Sequence, residues 1–352
     1  MNKKISICTV CMNRTYHLKK TLIKNLEDNS DDQDLEYVLL NYNSGDDMED
    51  WVKKDLQTYI DSGKLVYYRT YEPNFFSQSH SRNMAYKLAS GDILCNIDAD
   101  NFTGINFSKY VLELFRSKNI FLSAAISSDE SKDTGILGRI CLLKKDFLKI
   151  GGYDEGMKGY GYEDTDLKLR LRSIGNEEVF INKRYCEYIQ HQNDVRVSNE
   201  KLAYLIKVIL LKKETYYKSS LYFLYTNGEC EQYQVIDNYF VKSKSVENCF
   251  YEKGKKTWKH GLNIVNKFHW ILKDQQIELK NKKGVEAYFN LSEFSIIDIR
   301  TEIEEMYILK STIVNRNLME KSAQQNKIIK NLKGFGRGIV YKNFDLSKKI
   351  TL

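Results

Sequence analysis

Two aspartates, Asp98 and Asp100, stand one residue apart at the end of a short apolar run that begins after Gly91. Side chains on a strand repeat every two residues, so a strand extending to Asp100 would direct both carboxylates to one face. Two acids on one face repel each other and are costly to desolvate, which calls for a cation. The pattern predicts either a divalent-metal site or a pair of solvated acids in a turn, and these two residues alone do not separate the interpretations.

A second group of acids follows a glycine-rich stretch. Five glycines lie between Ile150 and Asp166, and a backbone of this kind turns sharply and can approach a ligand closely. Glu163 and Asp164 then begin a helix predicted to reach Ser173, where carboxylates suit the positive end of the helix dipole. A helix-dipole role accounts for these acids, and a role in the chemistry of a site is the alternative.

The elements that would position these acids alternate between strands and helices. Strands are predicted at residues 5–10, 35–40, 65–69, 121–127 and 138–143 and in the run before Asp98, and helices at 16–26, 48–60, 79–88 and 167–173. This order predicts a mostly parallel α/β sheet sandwiched by helices, whose carboxyl edge binds ligands. The first turn lacks the G-x-G-x-x-G glycines of a dinucleotide-binding Rossmann unit, so a nucleotide would dock on polar loop residues such as Thr9, Asn13 and Arg14.

The composition is that of a globular protein, with 42% hydrophobic and 29% charged residues. No apolar run approaches the roughly 20 residues that span a bilayer, and the four residues before Ile5 are too few for a secretory signal, so we expect a cytosolic protein. The seven cysteines are scattered and odd in number, unlike a disulfide framework. Cys8 and Cys11 have C-x-x-C spacing, but they lie in an apolar strand-like run where residues three apart face opposite ways, so zinc or redox chemistry is not expected.

Taken together, several motifs resemble the signature series of GT-A glycosyltransferases of the family 2 type. They are Thr9 to Arg14, Ser81-Arg82-Asn83, Asp98-Ala99-Asp100, and Gly151-Gly152-Tyr153 followed by Glu163-Asp164. Residues 138–171 resemble the carboxy-terminal catalytic segment of galactosyltransferases and N-acetylgalactosaminyltransferases, which also occurs in bacterial chondroitin-type polymerases. The resemblance covers roughly residues 4–195 and implies a GT-A catalytic domain at residues 1–198.

The resemblance implies an inverting transfer of a sugar from a nucleotide sugar, usually a UDP-sugar, to a hydroxyl of a glycan or glycolipid acceptor. Asp100 would ligate Mn²⁺ or Mg²⁺, Asp98 would face the ribose or a metal-bound water, and His191 would complete the metal shell. Asp164 corresponds to the base that takes the acceptor proton, and Glu163 beside it would hold sugar hydroxyls. The expected donor contacts are Thr9, Cys11, Asn13, Arg14, Asn41, Asn43, Ser44, Arg82, Asn83, Asp98 and Ala99, and the expected sugar or acceptor contacts are Tyr160 and Gly161.

Two positions depart from the family pattern. Family members commonly place an aspartate after the second strand to bind the uracil imide, whereas this chain has Asn41. An amide can still pair with uracil through one donor and one acceptor, so UDP remains the expected nucleotide. Tyr160 stands where many galactosyltransferases have tryptophan, and its ring can still stack on a sugar face. The donor sugar, of Gal, GalNAc, Glc or GlcNAc type, is left open.

Residues 199–352 differ in charge from the first part of the chain. They carry 27 Lys and Arg against 17 Asp and Glu, a net charge of +10, whereas residues 1–198 have a net charge of −3. We expect a basic accessory domain whose partner is an anionic glycan or the inner face of a membrane rather than nucleic acid, although a solvated lysine-rich surface explains the charge equally well. The apolar run at residues 202–211 is predicted to be a helix, either packed in the domain or lying on a membrane.

Other signals in residues 199–352 predict β-hairpins and one long helix. Asn227-Gly228 between two apolar runs predicts a tight hairpin of residues 219–236, and a second hairpin is predicted at residues 248–260. A strand is predicted at residues 285–291. An apolar stripe from Ile296 to Leu318 predicts a helix at 296–332 that docks on the catalytic domain or mediates homo-oligomer formation.

Two other functions compete with the transfer of a sugar. A sugar-1-phosphate nucleotidyltransferase is the nearest alternative enzyme, but it would need a glycine-rich phosphate loop near the start of the chain, and the sequence has none there. A non-catalytic protein that binds nucleotide sugars or glycans is the alternative from another class. The favoured hypothesis is a metal-dependent glycosyltransferase of bacterial surface polysaccharide synthesis, such as capsule or lipopolysaccharide.

Overall fold

The structure is a computed structural model that describes residues 3–116, 119–125, 134–190, 197–215, 218–236, 263–281, 284 and 286–352. The chain forms two compact units. The first comprises residues 1–158, 162–191 and 322–352, and the second comprises residues 159–161 and 192–321.

The strands and helices of the described residues are numbered in chain order. The strands are β1 (Ile5–Cys11), β2 (Leu35–Tyr42), β3 (Leu65–Thr70), β4 (Ile93–Asn96), β5 (Ile120–Ser123), β6 (Ile140–Leu143), β7 (Glu177–Phe180), β8 (Ile206–Thr215), β9 (Lys218–Tyr225), β10 (Glu229–Ile236), β11 (Asn263–Lys273), β12 (Gln276–Lys280), β13 (Glu286–Asn290), β14 (Ser295–Ile297), β15 (Ile339–Lys342) and β16 (Asp345–Thr351). The helices are α1 (Thr15–Asp28), α2 (Met48–Asp55), α3 (Gln57–Asp61), α4 (Gln78–Leu88), α5 (Phe107–Leu114), α6 (Lys144–Lys149), α7 (Glu163–Ser173), α8 (Lys201–Leu205) and α9 (Arg300–Gln324).

The first unit is built on a mixed sheet with the strand order β16-β15-β3-β2-β1-β4-β6-β5-β7. Its central strands β3, β2, β1 and β4 are parallel, as the alternation of strands and helices predicts. β6 runs antiparallel to both β4 and β5. The predicted α/β fold class is therefore confirmed, with antiparallel strands added beside the parallel centre.

Helices cover both faces of this sheet, and each face has its own hydrophobic core. The leucines of α1 at positions 18, 22 and 26 are four residues apart and pack with Ile7 of β1 on one face. Leu167 of α7 packs with Val10 of β1 on the other face. Since β1 is buried along its whole length, it reads as a continuous apolar run instead of an alternating pattern.

The last residues of the chain return to the first unit. β15 pairs antiparallel with β3, and Val340 of β15 is fully buried in the core. The side-chain oxygen of Asn343 accepts a hydrogen bond from the backbone of Tyr67, 276 residues earlier in the chain. The structure thus groups residues 322–352 with the first sheet, which differs from a single boundary at residue 198. A pairing between such distant residues has no local sequence pattern.

The second unit contains an antiparallel sheet with the order β13-β12-β11-β10-β9-β8-β14. The hairpin of β9 and β10 turns at Asn227-Gly228, with Gly228 at a φ of +82°, as predicted. The prediction of a helix at residues 202–211 is wrong, because the helix α8 ends at Leu205 and β8 begins at Ile206. β-Branched residues favour strands, and β8 is held between β9 and β14. The hairpin predicted at residues 248–260 lies outside the described residues.

The long helix predicted at residues 296–332 is present in shorter form as α9. Residues 295–297 form β14 instead, and the helix ends at Gln324. Ile303, Met306 and Ile313 are buried in the core of the second unit. Within the described ranges, none of the helices combines the length and the apolarity that crossing a lipid bilayer requires.

Candidate active site

The two aspartates of the Asp98-Ala99-Asp100 motif lie in the turn after β4, because that strand ends at Asn96. The backbone N–H of Asn101 donates to the carbonyl of Asp98 at 2.9 Å and closes the turn. The two aspartates are therefore not part of the strand, and the alternation that predicted both carboxylates on one strand face does not apply to them. Their surroundings also differ, since the side chain of Asp98 is 30% exposed and Asp100 is buried.

Arg82, on α4, connects the acids of the two motifs. Its Nη2 donates to Oδ1 of Asp98 at 3.2 Å, and its Nη1 donates to Oδ1 of Asp164 at 2.9 Å. Oε1 of Glu163 lies 3.5 Å from Nη1. Burial disfavours the charged guanidinium, but the carboxylates of Asp164 and Asp98 raise the pKa of Arg82 well above its usual value. The arginine is thus a permanent cation shared by both groups of acids.

Gly138 leaves the space in which Arg82 and Asp98 meet. A Cβ added at this residue would lie 2.5 Å from Nη2 of Arg82 and 2.8 Å from Oδ2 of Asp98. Asn96 completes the arrangement, because its Nδ2 donates both to Oδ1 of Asp98 at 2.8 Å and to the carbonyl of Gly138 at 2.9 Å. A side chain at position 138 would therefore have to displace the end of the Arg82 or Asp98 side chain.

Glu163 and Asp164 occupy the first turn of α7, which follows Tyr162 at a φ of +69°. Burial, and then the neighbouring Asp164 carboxylate, raise the pKa of Glu163 to about 8. Burial also raises the pKa of Asp164, an effect that Arg82 opposes and Asp98 reinforces. At pH 7 a carboxyl with a pKa of about 8 is protonated and can donate a hydrogen bond. In the described part of the chain, Oε2 of Glu163 is buried and has no hydrogen-bond partner.

The glycine-rich stretch before α7 is held by Asn83 of α4. Nδ2 of Asn83 donates to the carbonyl of Tyr153 and to Oε1 of Glu155, and its Oδ1 accepts from the backbone N–H of Tyr153 at 2.8 Å. Gly152 has a φ of +70°, and a Cβ there would lie 2.6 Å from Oδ1 of Asn83. Asn83 is fully buried. The amide expected to contact the donor therefore orients the loop that leads to α7.

The end of β1 and the loop after it contain four of the residues expected to contact the donor. Thr9 directs its hydroxyl to the carbonyl of Ile97 at 2.8 Å. Cys11 is buried, and burial raises the pKa of its thiol to about 12, so only its backbone is suited to a ligand. Asn13 has a φ of +55°, and Arg14 immediately precedes α1. The polar side chains of this loop that suit a ligand are thus those of Asn13 and Arg14.

The loop after β2 is joined to the first one by hydrogen bonds. Oδ1 of Asn13 accepts from the N–H of Gly45 at 2.7 Å, and the hydroxyl of Ser44 accepts from the N–H of Asn13. Asn41 is fully buried, with its Oδ1 bound to the N–H of Ser44 and its Nδ2 bound to the hydroxyl of Tyr67. Both ends of its amide therefore bond to other residues of the protein instead of facing a ligand. Asn43, at a φ of +57°, donates to the carbonyl of Pro73.

The remaining expected contacts lie elsewhere in the structure. The carbonyl of Ala99 accepts from the hydroxyl of Thr21 at 2.7 Å on the side of α1. Tyr160 and Gly161 belong to the second unit, where Nδ2 of Asn315 on α9 donates to the carbonyl of Gly161 at 2.9 Å. His191 lies outside the described residues, so its predicted role as a metal ligand stays a prediction.

The donor atoms beside β4 fit a hard divalent cation. Carboxylate oxygens are the ligands that Mg²⁺ and Mn²⁺ prefer. In the described part of the chain the hydrogen bonds of Asp98 all end on Oδ1, so its Oδ2 carries none. No group of three or more His, Cys, Asp or Glu side chains among the described residues is arranged to hold a metal. A cation held by Asp98 and Asp100 would thus take further ligands from a diphosphate, water or residues outside the described ranges.

Sequence reasoning missed two buried residues beside the motif of Asp98 and Asp100. Asn101 donates to Oδ1 of Asp100, and Arg139 donates to Asn101. Both side chains are fully buried. The available signal was an arginine directly before the apolar strand β6, a position where a charged residue is rare unless it has a partner.

Replacing Glu163 by Gln is expected to change the dependence of stability on pH. The pKa of Glu163 is about 8 in the folded protein and near its ordinary 4.5 in the unfolded chain. Between these values the folded state keeps a proton that the unfolded state has lost, so the stability due to neutral Glu163 falls as the pH rises. We expect the free energy of unfolding of Glu163→Gln, relative to that of the wild type, to rise by about 4 kcal/mol as the pH increases from 5 to 9. Urea unfolding at several pH values tests this, and parallel profiles for both proteins would contradict it.

Comparisons with known proteins agree with this fold and these motifs. Residues 6–158 match the family model described as "Glycosyl transferase family 2", and residues 127–194 match the model described as "N-terminal domain of galactosyltransferase". Both models describe glycosyltransferases, so residues 6–194 are similar to that class of enzyme. The predicted resemblance to GT-A glycosyltransferases of the family 2 type is thus confirmed for residues 6–158.

Several solved structures are similar to the chain at low sequence identity. The mannosyltransferase PcManGT from Pyrobaculum calidifontis, in complex with GDP-Man and Mn²⁺, has 16% identity and a TM-score of 0.46, with coverage of 55% of this chain and 59% of that one. Residues 1–349 of TarS from S. aureus have 14% identity and a TM-score of 0.42, with coverage of 56% and 66%. Glucosyl-3-phosphoglycerate synthase from Mycobacterium tuberculosis, in complex with Mn²⁺, UDP and phosphoglyceric acid, has 15% identity and a TM-score of 0.39, with coverage of 55% and 73%. The match thus spans less than two thirds of PcManGT and of the TarS chain. No curated protein sequence matches this chain.

Proposed function

We propose that the protein is a metal-dependent inverting glycosyltransferase that moves a hexose from a UDP-sugar to a hydroxyl of a glycan or glycolipid, in the synthesis of a bacterial surface polysaccharide. The observation that carries this proposal is the shared guanidinium of Arg82, which donates to Asp98 at 3.2 Å and to Asp164 at 2.9 Å. It links the acid expected on the donor side to the acid expected on the acceptor side. In this proposal one group of residues both accepts the charge of the leaving diphosphate and removes the proton of the attacking hydroxyl.

The donor side requires a group that accepts the charge of the leaving nucleoside diphosphate. Asp100 and Asp98 would hold Mn²⁺ or Mg²⁺, and such a cation, when bound, neutralises negative charge on the diphosphate. Arg82 adds a permanent positive charge next to Asp98. The bare Oδ2 of Asp98 in the described structure supports this assignment. His191 remains the proposed further ligand.

The acceptor side requires a base that removes the proton of the attacking hydroxyl. Asp164 takes this role in the proposal, and the raised pKa of its carboxyl makes the carboxylate a stronger base. Its bond to Arg82 fixes the direction of the carboxylate. Glu163, protonated at pH 7, donates a hydrogen bond to a sugar hydroxyl from its otherwise unpartnered side. A single displacement with the base opposite the leaving group inverts the configuration at the anomeric carbon.

The nucleoside is proposed to bind at the joined loops after β1 and β2. Thr9, Cys11, Asn13, Arg14, Asn43 and Ser44 form or flank these loops and remain the proposed contacts. Because the amide of Asn41 is bound to Ser44 and Tyr67, its contribution is to shape the second loop. Uracil would then be bound by backbone groups and polar side chains of the two loops that contain Asn13 and Ser44.

Asp100→Ala is expected to abolish the metal-dependent part of UDP binding. The substitution removes the carboxylate assigned to the cation while leaving Arg82 and Asp98 in place. Isothermal titration of UDP with and without Mn²⁺ measures the effect, and the wild type should bind more tightly with the metal. Asp92→Ala, an exposed aspartate on the amino side of β4, is the matched control. Tight UDP binding that does not depend on metal in the wild type would refute the metal assignment.

A thermal-shift screen identifies the donor more directly than any single variant. The protein is heated with Mn²⁺ and each of a panel of UDP-sugars and GDP-sugars, because a buried Asn41 gives no reason to restrict the panel to uracil. The expected result is the largest shift with a UDP-hexose or UDP-N-acetylhexosamine. A shift with nucleotide sugars but no transfer to any acceptor would instead support the non-catalytic binder.

Residues 199–352, of which 322–352 belong to the first unit, are proposed to contact the acceptor or an anionic surface. Residues 199–352 carry a net charge of +10, which suits an acidic glycan or the inner face of a bacterial membrane. The membrane-surface helix suggested for residues 202–211 does not support this, since most of that run is the buried strand β8. Cytoplasmic location with peripheral membrane contact, and self-association through α9, remain proposals.

A further inference from the structure

Arg139 is a fully buried arginine directly before β6, and it bonds to Asn101 at the end of the turn that contains Asp98 and Asp100. Its Nη2 donates to Oδ1 of Asn101 at 3.0 Å. In the described part of the chain its Nε and Nη1 are buried without any hydrogen-bond partner, and its Nη2 also donates to the carbonyl of Glu187 at 3.5 Å. A buried guanidinium in this state is costly, so it is retained for some reason other than stability.

Asn101 connects Arg139 to Asp100 through hydrogen bonds of its side-chain amide. Its Oδ1 accepts from Arg139, and its Nδ2 donates to Oδ1 of Asp100 at 2.7 Å and to the carbonyl of Gly135 at 3.1 Å. The arginine therefore also fixes which end of the amide faces Asp100, because a guanidinium can bond only to the amide oxygen. With the oxygen held by Arg139, the NH₂ group must point to the carboxylate.

The charge of Arg139 acts on the same two acids. Burial lowers the pKa of its guanidinium, while the charges of Asp98 and Asp100 are among those that oppose the shift, which means that the cation and both carboxylates interact. A positive charge inside the protein reduces the repulsion between two neighbouring carboxylates. An arginine at this place thus both orients Asp100 through Asn101 and stabilises the pair of acids.

We propose that Arg139 and Asn101 are positioning residues that hold the Asp100 carboxylate in the orientation required to bind a divalent cation. The inference rests on the proposed metal-dependent function and extends it to two residues behind the ligands. Groups that bond to metal ligands from behind commonly change metal affinity by about 10- to 100-fold when they are removed. Neither residue touches the donor or the acceptor in this proposal.

The test measures Mn²⁺ binding in the presence of saturating UDP, by isothermal titration and by the loss of the free Mn²⁺ electron paramagnetic resonance signal. We expect Asn101→Ala and Arg139→Met each to raise the Kd of Mn²⁺ by about 10- to 100-fold. Asn29→Ala is the matched control, since Asn29 is another buried amide that bonds to Tyr37 and Thr103 in the same unit. The control should keep the wild-type Kd within about twofold even if it is less stable, because it lies outside the relay from Arg139 to Asp100.

The outcomes separate this inference from the proposed function. If the wild type binds Mn²⁺ and both variants bind it with unchanged Kd, the positioning role is wrong and the metal site stands. If the wild type binds no Mn²⁺ with UDP present, the metal-dependent function and the inference are both overturned. If Arg139→Met does not fold, Asn101→Ala decides alone, and an equal loss of affinity in Asn29→Ala would assign the effect to general destabilisation and refute the proposal.

Discussion

Asp164→Asn is expected to lower the rate of sugar transfer by about 10²- to 10⁴-fold, the usual contribution of a positioned base, while the protein still binds Mn²⁺ and UDP. The substitution removes the proton acceptor but keeps an oxygen that can accept the hydrogen bond of Arg82 Nη1, now 2.9 Å from the Asp164 carboxylate. The loss should therefore appear in kcat rather than in the affinity for the donor. Release of UDP in the presence of an acceptor provides the measurement.

Asp166→Asn on the same helix is the matched control for this variant. Asp166 is a buried acid that is paired with Arg170 at 2.7 Å, and no bond joins it to Arg82 among the contacts described. Its loss should lower stability and leave kcat nearly unchanged. If Asp164→Asn transfers sugar at the wild-type rate, Asp164 is not the base. If the wild type binds UDP and never transfers a sugar, the non-catalytic binder becomes the better hypothesis.

The elements that position this site were predictable because their patterns are local. β1 is a run of apolar residues bounded by polar ones, and α1 shows leucines four residues apart, so both could be placed within a few residues. The residues at which strands and helices end were harder to predict. β4 ends at Asn96, before the two aspartates, because a turn closed by Asn101 begins at Asp98, and nothing in a run of alternating residues announces that turn.

The residues of the site were easier to predict than the contacts between them. Arg82, Asp98, Glu163 and Asp164 were each singled out, but their meeting at one guanidinium depends on the packing of α4 and α7 on the same face of the sheet. Asn41 was expected to face a nucleobase, and the structure instead shows its amide bound to Ser44 and Tyr67. Most of these partners, such as Tyr67 for Asn41, are distant in sequence, and composition and periodicity do not reveal them.

The part of the first unit that sequence patterns did not predict is its final segment. Lys330 lies 2.8 Å from Asp154 and 3.9 Å from Asp166, and all three side chains are largely buried. The backbone N–H of Gly336 donates to Glu155, and the ring of Phe335 packs edge-on against Phe147 with centroids 5.6 Å apart. These contacts support the same glycine-rich loop that Asn83 holds, so residues 322–352 help to orient α7.

A chain that ends at Lys321 is therefore expected to lose the folded first unit. Removing Lys330 leaves Asp154 and Asp166 without their shared cation, and breaking a buried ion pair in this way costs about 3–5 kcal/mol. Exposing the core position of Val340 costs roughly a further 1.5–3 kcal/mol. The total approaches the roughly 5–15 kcal/mol that stabilises a whole domain, before the lost pairing of β15 with β3 is included.

Calorimetry and UDP titration of the shortened chain, beside the full chain and Lys330→Met, measure this loss. The full chain should show a transition that UDP and Mn²⁺ shift to higher temperature, and the chain ending at Lys321 should show no such shift. Lys330→Met should retain a UDP-dependent transition at lower temperature, because only the ion pairs are removed. A shortened chain that keeps the full UDP-dependent shift would mean that β1 to β7 form the donor site without the returning strands, and the catalytic domain would then end near residue 198 as the sequence suggested.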